Sequence, residues 1–332
     1  MPQKSASVTS TSDRRNKWWV ILKIFLGLVL FAFVLSKIRS QDVAALAQRI
    51  SLPWLPVCLF IYIASVWCIA KRYHEIIGQD ISFDKIFGIV VIQSVIGSML
   101  ANIAGITYYV AMLRGKYQVG LGNGIWSLVA ARFFDILVWL PFFGVASWLL
   151  WSQLAPLHIV IILALVFMSA IVMGIALALT LRQRFLAMLK KILTKLSLDR
   201  FPLIQKIIGA LETLVQGSLL KNFRSLILYS LLILINSCAL FYCTLKLFGI
   251  SLDKAPVILM VIITQVLMLL PIHVFGGLGW LDVSHLYLYG LFGFGEHLIA
   301  PVIVGGRVVF YAMTLILLLY FPGRNFYLWR QK

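Results

Sequence analysis

Charged residues, and acidic residues above all, are scarce in this sequence. Only 12% of its 332 residues are charged, and Asp and Glu together number 11. Hydrophobic residues make up 62% of the chain, and the mean hydropathy is +0.99. A soluble domain of this length has far more polar residues than that. The composition therefore predicts an all-α integral membrane protein with no room for a separate soluble catalytic domain.

Residues that bind metals or perform covalent catalysis are also few. The four cysteines lie in apolar segments and form no CxxC pair, which argues against a disulfide framework and against a zinc site. Asp282 and His285 are spaced i,i+3, but no third ligand follows at a diagnostic spacing. The sequence also has neither a nucleophile elbow nor a phosphate-binding loop. We expect no metal, no cofactor and no enzymatic activity.

Basic residues outnumber acidic ones, and the net charge is +18. No basic stretch carries a nucleic-acid-binding motif, so we do not expect a nucleic-acid partner. Lys and Arg collect at the cytoplasmic flanks of membrane helices, where anionic lipid headgroups can neutralise them. The expected partner of this charge is membrane phospholipid.

Six apolar segments come close to the roughly 20 residues that cross a bilayer. These predicted spans are Trp18–Ser36, Leu52–Ala70, Ile125–Leu150, Leu157–Leu181, Phe223–Lys246 and Leu298–Phe321. A short amphipathic helix over Gln41–Ile50 is predicted to lie at the interface. The fold prediction therefore starts from about six full spans.

Two further apolar segments, Ile86–Leu113 and Ala255–Gly295, are interrupted by glycines and polar residues. Non-helical backbone at membrane depth is tolerated only where protein buries it or where it lines a wet cavity. We interpret both segments as re-entrant or broken-helix hairpins beside a site. If each enters and leaves on one side, only five of the 29 Lys and Arg residues face outward, whereas full crossings give a nearly even division. The positive-inside rule favours the hairpins.

This topology predicts a protein of the cell (inner) membrane with both termini on the cytoplasmic side. It also gives the two hairpins opposite orientations. Each hairpin is followed by a span with an internal arginine, in AARFFD and GGRVVFY, and the distance along the chain from the hairpin glycine to that arginine is nearly the same in both halves. We predict an inverted repeat with a mid-membrane substrate site. The predicted regions are a disordered N-terminus (1–14), one membrane domain (15–325) with repeat-like halves at about 86–150 and 255–321, a basic amphipathic connection (182–222) and a C-terminal tail (326–332).

Arg307 lies about ten residues into the last predicted span, roughly 15 Å deep. An unpaired guanidinium there costs at least about 2.5 to 3.5 kcal/mol. Its partner is either a lipid phosphate, which suits the planar guanidinium, or Asp282 or the unpaired carbonyls of the broken helix.

Arg132 has Asp135 three positions later on the same helical face, so the two either form an ion pair or open to admit a headgroup. Gly276, Gly277 and Gly279 allow positive φ, and a half-helix starting near Trp280 could offer N–H groups to an anion. The alternative for these glycines is a tight turn or close packing between helices. The candidate substrate-binding residues are these five together with Arg307 and Asp282.

The segment GGLGWLD, followed by YGLFG and APVIVGGRVVFY, resembles the signature of the lysylphosphatidylglycerol synthetase transmembrane region, the flippase-like domain family. The stretches ANIAGITYYVAMLRG and AARFFD resemble its first-half counterpart, and the resemblance covers roughly residues 15–325. It implies a multi-span domain with re-entrant helices that moves lipids or lipid-linked headgroups between leaflets.

The chain departs from the family pattern near the glycine cluster. Asp282 stands where Glu is usual, Leu281 where a basic residue is common, and Phe275 where a proline often precedes the glycines. We therefore expect a lipid other than an aminoacylated phosphatidylglycerol. The soluble aminoacyl-transferring domain of full synthetases is not found in this sequence, so we do not expect the chain to make the lipid.

Three functions are compatible with these observations. The first is a flippase-like protein that binds a phosphate-bearing lipid or lipid-linked headgroup in a mid-membrane cavity and moves it between leaflets. The second is a lipid-binding accessory subunit of a lipid- or glycan-modifying enzyme, and the third is an intramembrane enzyme with Asp282 as base. A second copy of the chain is a further candidate partner.

Overall fold

The computed structural model describes residues 11–78, 81–195, 222–269 and 275–320, and all regular structure in these ranges is helical. Two 3-10 turns, Ala155–Leu157 and Phe275–Gly277, accompany the α-helices. The α-helices of the described residues are α1 (Thr11–Ser36), α2 (Ser40–Arg49), α3 (Trp54–Ile77), α4 (Phe83–Met99), α5 (Asn102–Tyr117), α6 (Leu121–Leu149), α7 (His158–Lys195), α8 (Phe223–Leu247), α9 (Lys254–Leu267), α10 (Trp280–Leu291) and α11 (Glu296–Tyr320).

Five helices of the described residues are long and apolar enough to cross a membrane: α3, α6, the first part of α7, α8 and α11. A sixth span is added if the apolar part of α1 is counted with α2, which follows it at a bend of 83°. Large apolar side chains of α7, such as Ile159, Phe167 and Met173, are exposed, as lipid contact requires. The chain is a multi-pass, all-α membrane protein, which confirms the predicted all-α class with about six spans, whereas the inverted repeat stays a prediction.

The first interrupted segment is a helical hairpin made by α4 and α5. The chain leaves α4 after Met99, passes through the extended residue Ala101, and enters α5 at Asn102. At the other end of the hairpin, Lys85 Nζ lies 5.8 Å from the ring centroid of Tyr117. The start of α4 and the end of α5 are therefore neighbours, so the chain doubles back between them.

The second interrupted segment is also a hairpin, made by α9 and α10. Thr264 near the end of α9 and His285 in the first half of α10 share a hydrogen bond of 2.7 Å between Oγ1 and Nε2. The glycine cluster lies between these helices, directly before α10. Both broken segments thus fold as two helices that contact each other.

The tips of the two hairpins touch each other. The Phe275 N–H donates to the Leu100 carbonyl at 2.7 Å, and Asn102 Nδ2 donates to the Met268 carbonyl at 3.2 Å. Tyr311 of α11 adds a hydrogen bond of 2.8 Å from its hydroxyl to the Phe275 carbonyl. This contact joins the two predicted broken elements, and the Leu100 and Phe275 side chains at it are exposed.

Apolar packing holds the helices of both hairpins against the rest of the molecule. The most extensive helix pair is α3 with α8, and the core clusters join α3, α4 and α5, then α8 to α11, then α6 to α9. Tyr109, Met260 and Ile262 are fully buried within these clusters. Each hairpin therefore contributes to the apolar core.

The predicted span Leu52–Ala70 ends too early, because α3 continues to Ile77. Tyr73 is buried, so the buried face of the helix continues past Arg72. Gly78, with φ of +103°, ends the helix. Arg72, at 3% exposed, therefore lies in the packed part of α3 and not in a loop.

The predicted chain ends and connection are covered only in part. The N-terminal segment 1–14 was predicted to be disordered, and α1 begins within it at Thr11. Residues 1–10 lie outside the described residues. The connection 182–222 is helical as far as Lys195 within α7, whereas residues 196–221 and the tail 326–332 lie outside the described ranges.

Candidate functional site

One cavity of about 500 Å³ lies between the two hairpins and the helices α3, α6, α8 and α11. Its lining includes neutral polar side chains of both hairpins, among them Gln93, Asn102 and Thr264. Five charged side chains of the described residues also line it, and these are Arg72, Arg132, Asp135, Asp282 and Arg307. Charged side chains inside a membrane protein carry a high desolvation cost, so their concentration in one cavity marks a candidate functional site.

Arg307 and Asp282 form the first charged cluster. Arg307 Nε donates to Asp282 Oδ1, and the remaining guanidinium nitrogens donate to the carbonyls of Gly276 (3.3 Å) and Gly277 (2.9 Å). Asp282 is 1% exposed and the Arg307 side chain 14%. Two partners of Arg307 were expected as alternatives to a lipid phosphate, namely Asp282 and the carbonyls of the broken helix. In the structure Arg307 contacts both of them.

The glycine cluster shapes this site through its backbone. Gly276, Gly277 and Gly279 all have positive φ, which side chains disfavour. A Cβ on Gly276 would lie 2.8 Å from the Ser98 carbonyl oxygen of the other hairpin, and one on Gly279 would overlap the backbone of Gly27 in α1. The glycines thus permit both the turn and its close contacts.

The predicted half-helix begins at Trp280, as expected, and its N-terminus is capped by the chain itself. Asp282 Oδ2 accepts from the Gly279 N–H at 2.7 Å. Among the described residues, Gly277 and Gly279 are not part of the cavity lining, whereas Gly276 is. The turn therefore presents carbonyl oxygens to Arg307, and Asp282 fills the position where the sequence had suggested an anionic ligand.

The second charged cluster joins α3, α6 and α8. Arg72 donates to both carboxylate oxygens of Asp135, with Nη2 at 3.4 Å from Oδ2, and Nη1 also donates to Ser230 Oγ at 2.9 Å. Arg132 Nη1 reaches the same Oδ2 at 3.3 Å. The predicted Arg132–Asp135 pair is present, but Arg72 is the closer partner of Asp135.

Sequence reasoning missed Arg72. It follows Lys71 directly, and a basic pair after an apolar run is typical of the end of a span. The available signal was the continuation of apolar residues to Ile77, followed by a glycine that can end the helix. Its partners Asp135 and Ser230 are far away in the sequence, so the pairing itself leaves no local pattern.

The two clusters leave one positive charge without an equal counter-charge in the cavity. Within the described part of the chain, its charged lining consists of three arginines and two aspartates. Asp282 balances Arg307, while Asp135 is shared by Arg72 and Arg132. The Arg132 side chain is 40% exposed, so it is the accessible member of this set. An anion that enters the cavity would find its most accessible cation at Arg132.

The described residues contain no group of three His, Cys, Asp or Glu side chains that could hold a metal ion. His285 is instead hydrogen-bonded to Thr264.

A family model, the lysylphosphatidylglycerol synthase transmembrane region, matches residues 20–317. The chain belongs to this family. The matched residues include both hairpins and both charged clusters. The match confirms the resemblance noted from the sequence. No curated protein and no solved structure matches the chain. Family membership places this multi-pass protein in a lipid-related membrane family.

Proposed function

We propose that the chain binds the phosphate-bearing headgroup of a lipid, or of a lipid-linked substrate, in the cavity between its hairpins and moves it between leaflets. The observation that carries this proposal is the surplus of positive charge in the lining, where three arginines meet two aspartates. A buried guanidinium is stabilised by an anionic partner, and a phosphate accepts its parallel N–H groups well. Family membership supports a lipid as the source of that phosphate.

The two cationic clusters have different roles in this proposal. Arg307 is held by three acceptors of the chain and fixes the second hairpin at its break. Arg132 shares its carboxylate and is partly exposed, so it contacts the headgroup. The tip contact between the hairpins closes the passage beside the site, and its opening would let the headgroup pass while the acyl chains stay in the bilayer.

Leaflet exchange in proteoliposomes tests this function. The full chain is reconstituted with fluorescent phosphatidylglycerol, and the fraction that a membrane-impermeant quencher reaches is followed over time. We expect exchange above protein-free liposomes and a loss of roughly tenfold or more for Arg132→Gln. Arg114→Gln is the matched control, because Arg114 is exposed at the end of α5 and does not line the cavity. Equal exchange by the two variants would contradict the role of the cavity.

An accessory role without transport is the second candidate, and α7 favours it. This helix has 38 residues, although about 20 cross a bilayer, and its last turns carry basic residues up to Lys195. Its end would project from the membrane and could dock a lipid- or glycan-modifying enzyme. Lipid binding without exchange would support this role, and a chemically altered lipid in the same liposomes would instead indicate an enzyme.

A further inference from the structure

The second charged cluster has no carboxylate left for a cationic ligand. Both oxygens of Asp135 accept from Arg72, and Oδ2 also accepts from Arg132. The other carboxylate of the cavity, Asp282, is held by Arg307 and by the Gly279 N–H. Among the described residues that line this space, an amine would meet a surplus of positive charge and no carboxylate that is not already held by an arginine. The lining therefore favours a ligand with one net negative charge.

Three buried polar atoms of the cavity lack partners among the described residues. They are Nε of Arg72, Oε1 of Gln93 and Oγ of Ser65. Arg72 is 3% exposed, and all three residues line the cavity. Buried donors and acceptors are rarely left unpaired, so each points to a group that the ligand supplies. An N–H donor matches a phosphate oxygen, and a carbonyl oxygen matches a hydroxyl group.

A smaller, largely apolar cavity of about 270 Å³ adjoins the first. The two cavities share Tyr73, Gln93 and Arg132 in their linings. The rest of the smaller cavity is apolar and comprises Ile106, Leu128, Val129, Phe133, Ile136 and Ile171. Val129 is 42% exposed, so the smaller cavity reaches the outer surface of α6. A polar boundary between a charged cavity and an apolar one suits the junction of a lipid headgroup and its acyl chain.

We infer that the ligand of this site is a phosphodiester lipid with one negative charge and a hydroxyl-bearing headgroup without an amine. Its phosphate contacts Arg132 and Arg72 Nε, a headgroup hydroxyl donates to Gln93, and one acyl chain occupies the smaller cavity. This inference rests on the proposed function and narrows it to one class of headgroup. It excludes zwitterionic and aminoacylated phospholipids as preferred ligands.

Native mass spectrometry of the full chain in detergent tests this inference. The probes are dioctanoyl phosphatidylglycerol, dioctanoyl phosphatidylcholine, dioctanoyl lysyl-phosphatidylglycerol, and glycerophosphoglycerol, which has the headgroup without acyl chains. We expect phosphatidylglycerol to bind roughly tenfold tighter than each of the other three, as loss of one charge-assisted contact or of the chain would produce. Glycerophosphoglycerol binding as tightly as the lipid would show that a water-soluble phosphodiester is the ligand, which overturns the lipid assignment.

Variants separate the headgroup contact from the chain contact. Arg132→Gln should lower the affinity for phosphatidylglycerol about tenfold and change that for phosphatidylcholine much less, because the loss of the phosphate contact is offset there by the loss of the positive charge that disfavours choline, so that the preference disappears. Val129→Trp should fill the smaller cavity and weaken all three lipids while their order stays the same. Arg114→Gln should change neither affinity nor preference. Helix content by circular dichroism and a single peak in size-exclusion chromatography verify that each variant is folded.

The outcomes distinguish this inference from the proposed function. If the three lipids bind equally, or lysyl-phosphatidylglycerol binds best, while leaflet exchange still depends on Arg132, the headgroup class is wrong and the function stands. If no lipid binds and no exchange occurs, both are wrong. A preference for phosphatidylglycerol that survives Arg132→Gln would overturn the assignment of the phosphate contact.

Discussion

At the residue scale, the buried pair of Asp282 and Arg307 offers a direct test of stability. Asp282→Asn removes the counter-charge while Arg307 stays largely buried, and breaking a buried pair costs about 3 to 5 kcal/mol. We expect a clear fall in the thermal unfolding temperature in detergent, measured by tryptophan fluorescence. Asp282→Asn combined with Arg307→Gln should recover part of this loss, because no buried charge then remains unpaired.

An ion pair of the same chemical type at the surface provides the control. Lys37 Nζ and Glu296 Oε2 are 2.9 Å apart, with side chains 31% and 53% exposed. Solvent screens such pairs, which contribute from about 0 to 1 kcal/mol. Glu296→Gln should therefore leave the unfolding temperature nearly unchanged. Similar losses for Glu296→Gln and Asp282→Asn would show that burial of the Arg307 pair has little energetic effect.

At the scale of elements, the α4–α5 hairpin depends on close packing at Gly105. A Cβ there would lie 2.5 Å from the Gln93 carbonyl oxygen and 3.0 Å from the Gly97 nitrogen, both in α4. Gly105→Ala must push the helices apart, and such overpacking typically costs about 1 to 3 kcal/mol. We expect a lower thermal unfolding temperature and a smaller exchange rate, since the hairpin also lines the cavity.

Gly115 in the same helix is the matched control. Nothing lies within 4 Å of a Cβ built there, so Gly115→Ala meets no steric barrier. Alanine is a better helix former than glycine by roughly 1 kcal/mol, so this variant should be as stable as the parent or slightly more stable. A Gly105→Ala variant that matched Gly115→Ala would refute the importance of this contact.

The sequence predicted the elements better than the contacts between them. Glycines and polar residues in apolar runs located both hairpins, and the isolation of Arg307 in such a run identified it as a residue in need of a partner. The i,i+3 spacing of Arg132 and Asp135 predicted their ion pair. Arg72 escaped detection because its role depends on how α3 packs against α6 and α8, and tertiary packing of this kind leaves no mark in the local sequence.

At the scale of the whole molecule, the proposed topology predicts which positions face the same side of the membrane. Four variants each carry one new cysteine, in place of the exposed residue Lys85, Arg114, Ser152 or Lys254. Right-side-out vesicles that contain each variant are treated with a membrane-impermeant maleimide. Ser152→Cys and Lys254→Cys should react, and Lys85→Cys and Arg114→Cys should react only after permeabilisation. The reason is that α4 and α5 return to the side from which they entered, as the neighbouring ends of the hairpin indicate.

The parent chain serves as the background for this labelling. Three of its cysteines are buried and Cys238 is half-buried, so its reaction should be slow. Reaction of Lys85→Cys and Arg114→Cys from opposite sides would mean that the α4–α5 segment crosses the membrane fully, and the division of Lys and Arg between the faces would then lose its bias. The same result would remove the basis for the inverted repeat.

The meeting of the two hairpin tips has a further consequence. The bond from the Phe275 N–H to the Leu100 carbonyl joins peptide groups, and almost any substitution at these positions would preserve both. Apart from a proline at position 275, which would remove the N–H, a point mutation changes the neighbouring side chains and leaves this hydrogen bond in place. Water can replace this bond, because it can hydrogen-bond to both peptide groups once it reaches them. Hydration of the contact between the hairpin tips would therefore allow the two hairpins to separate.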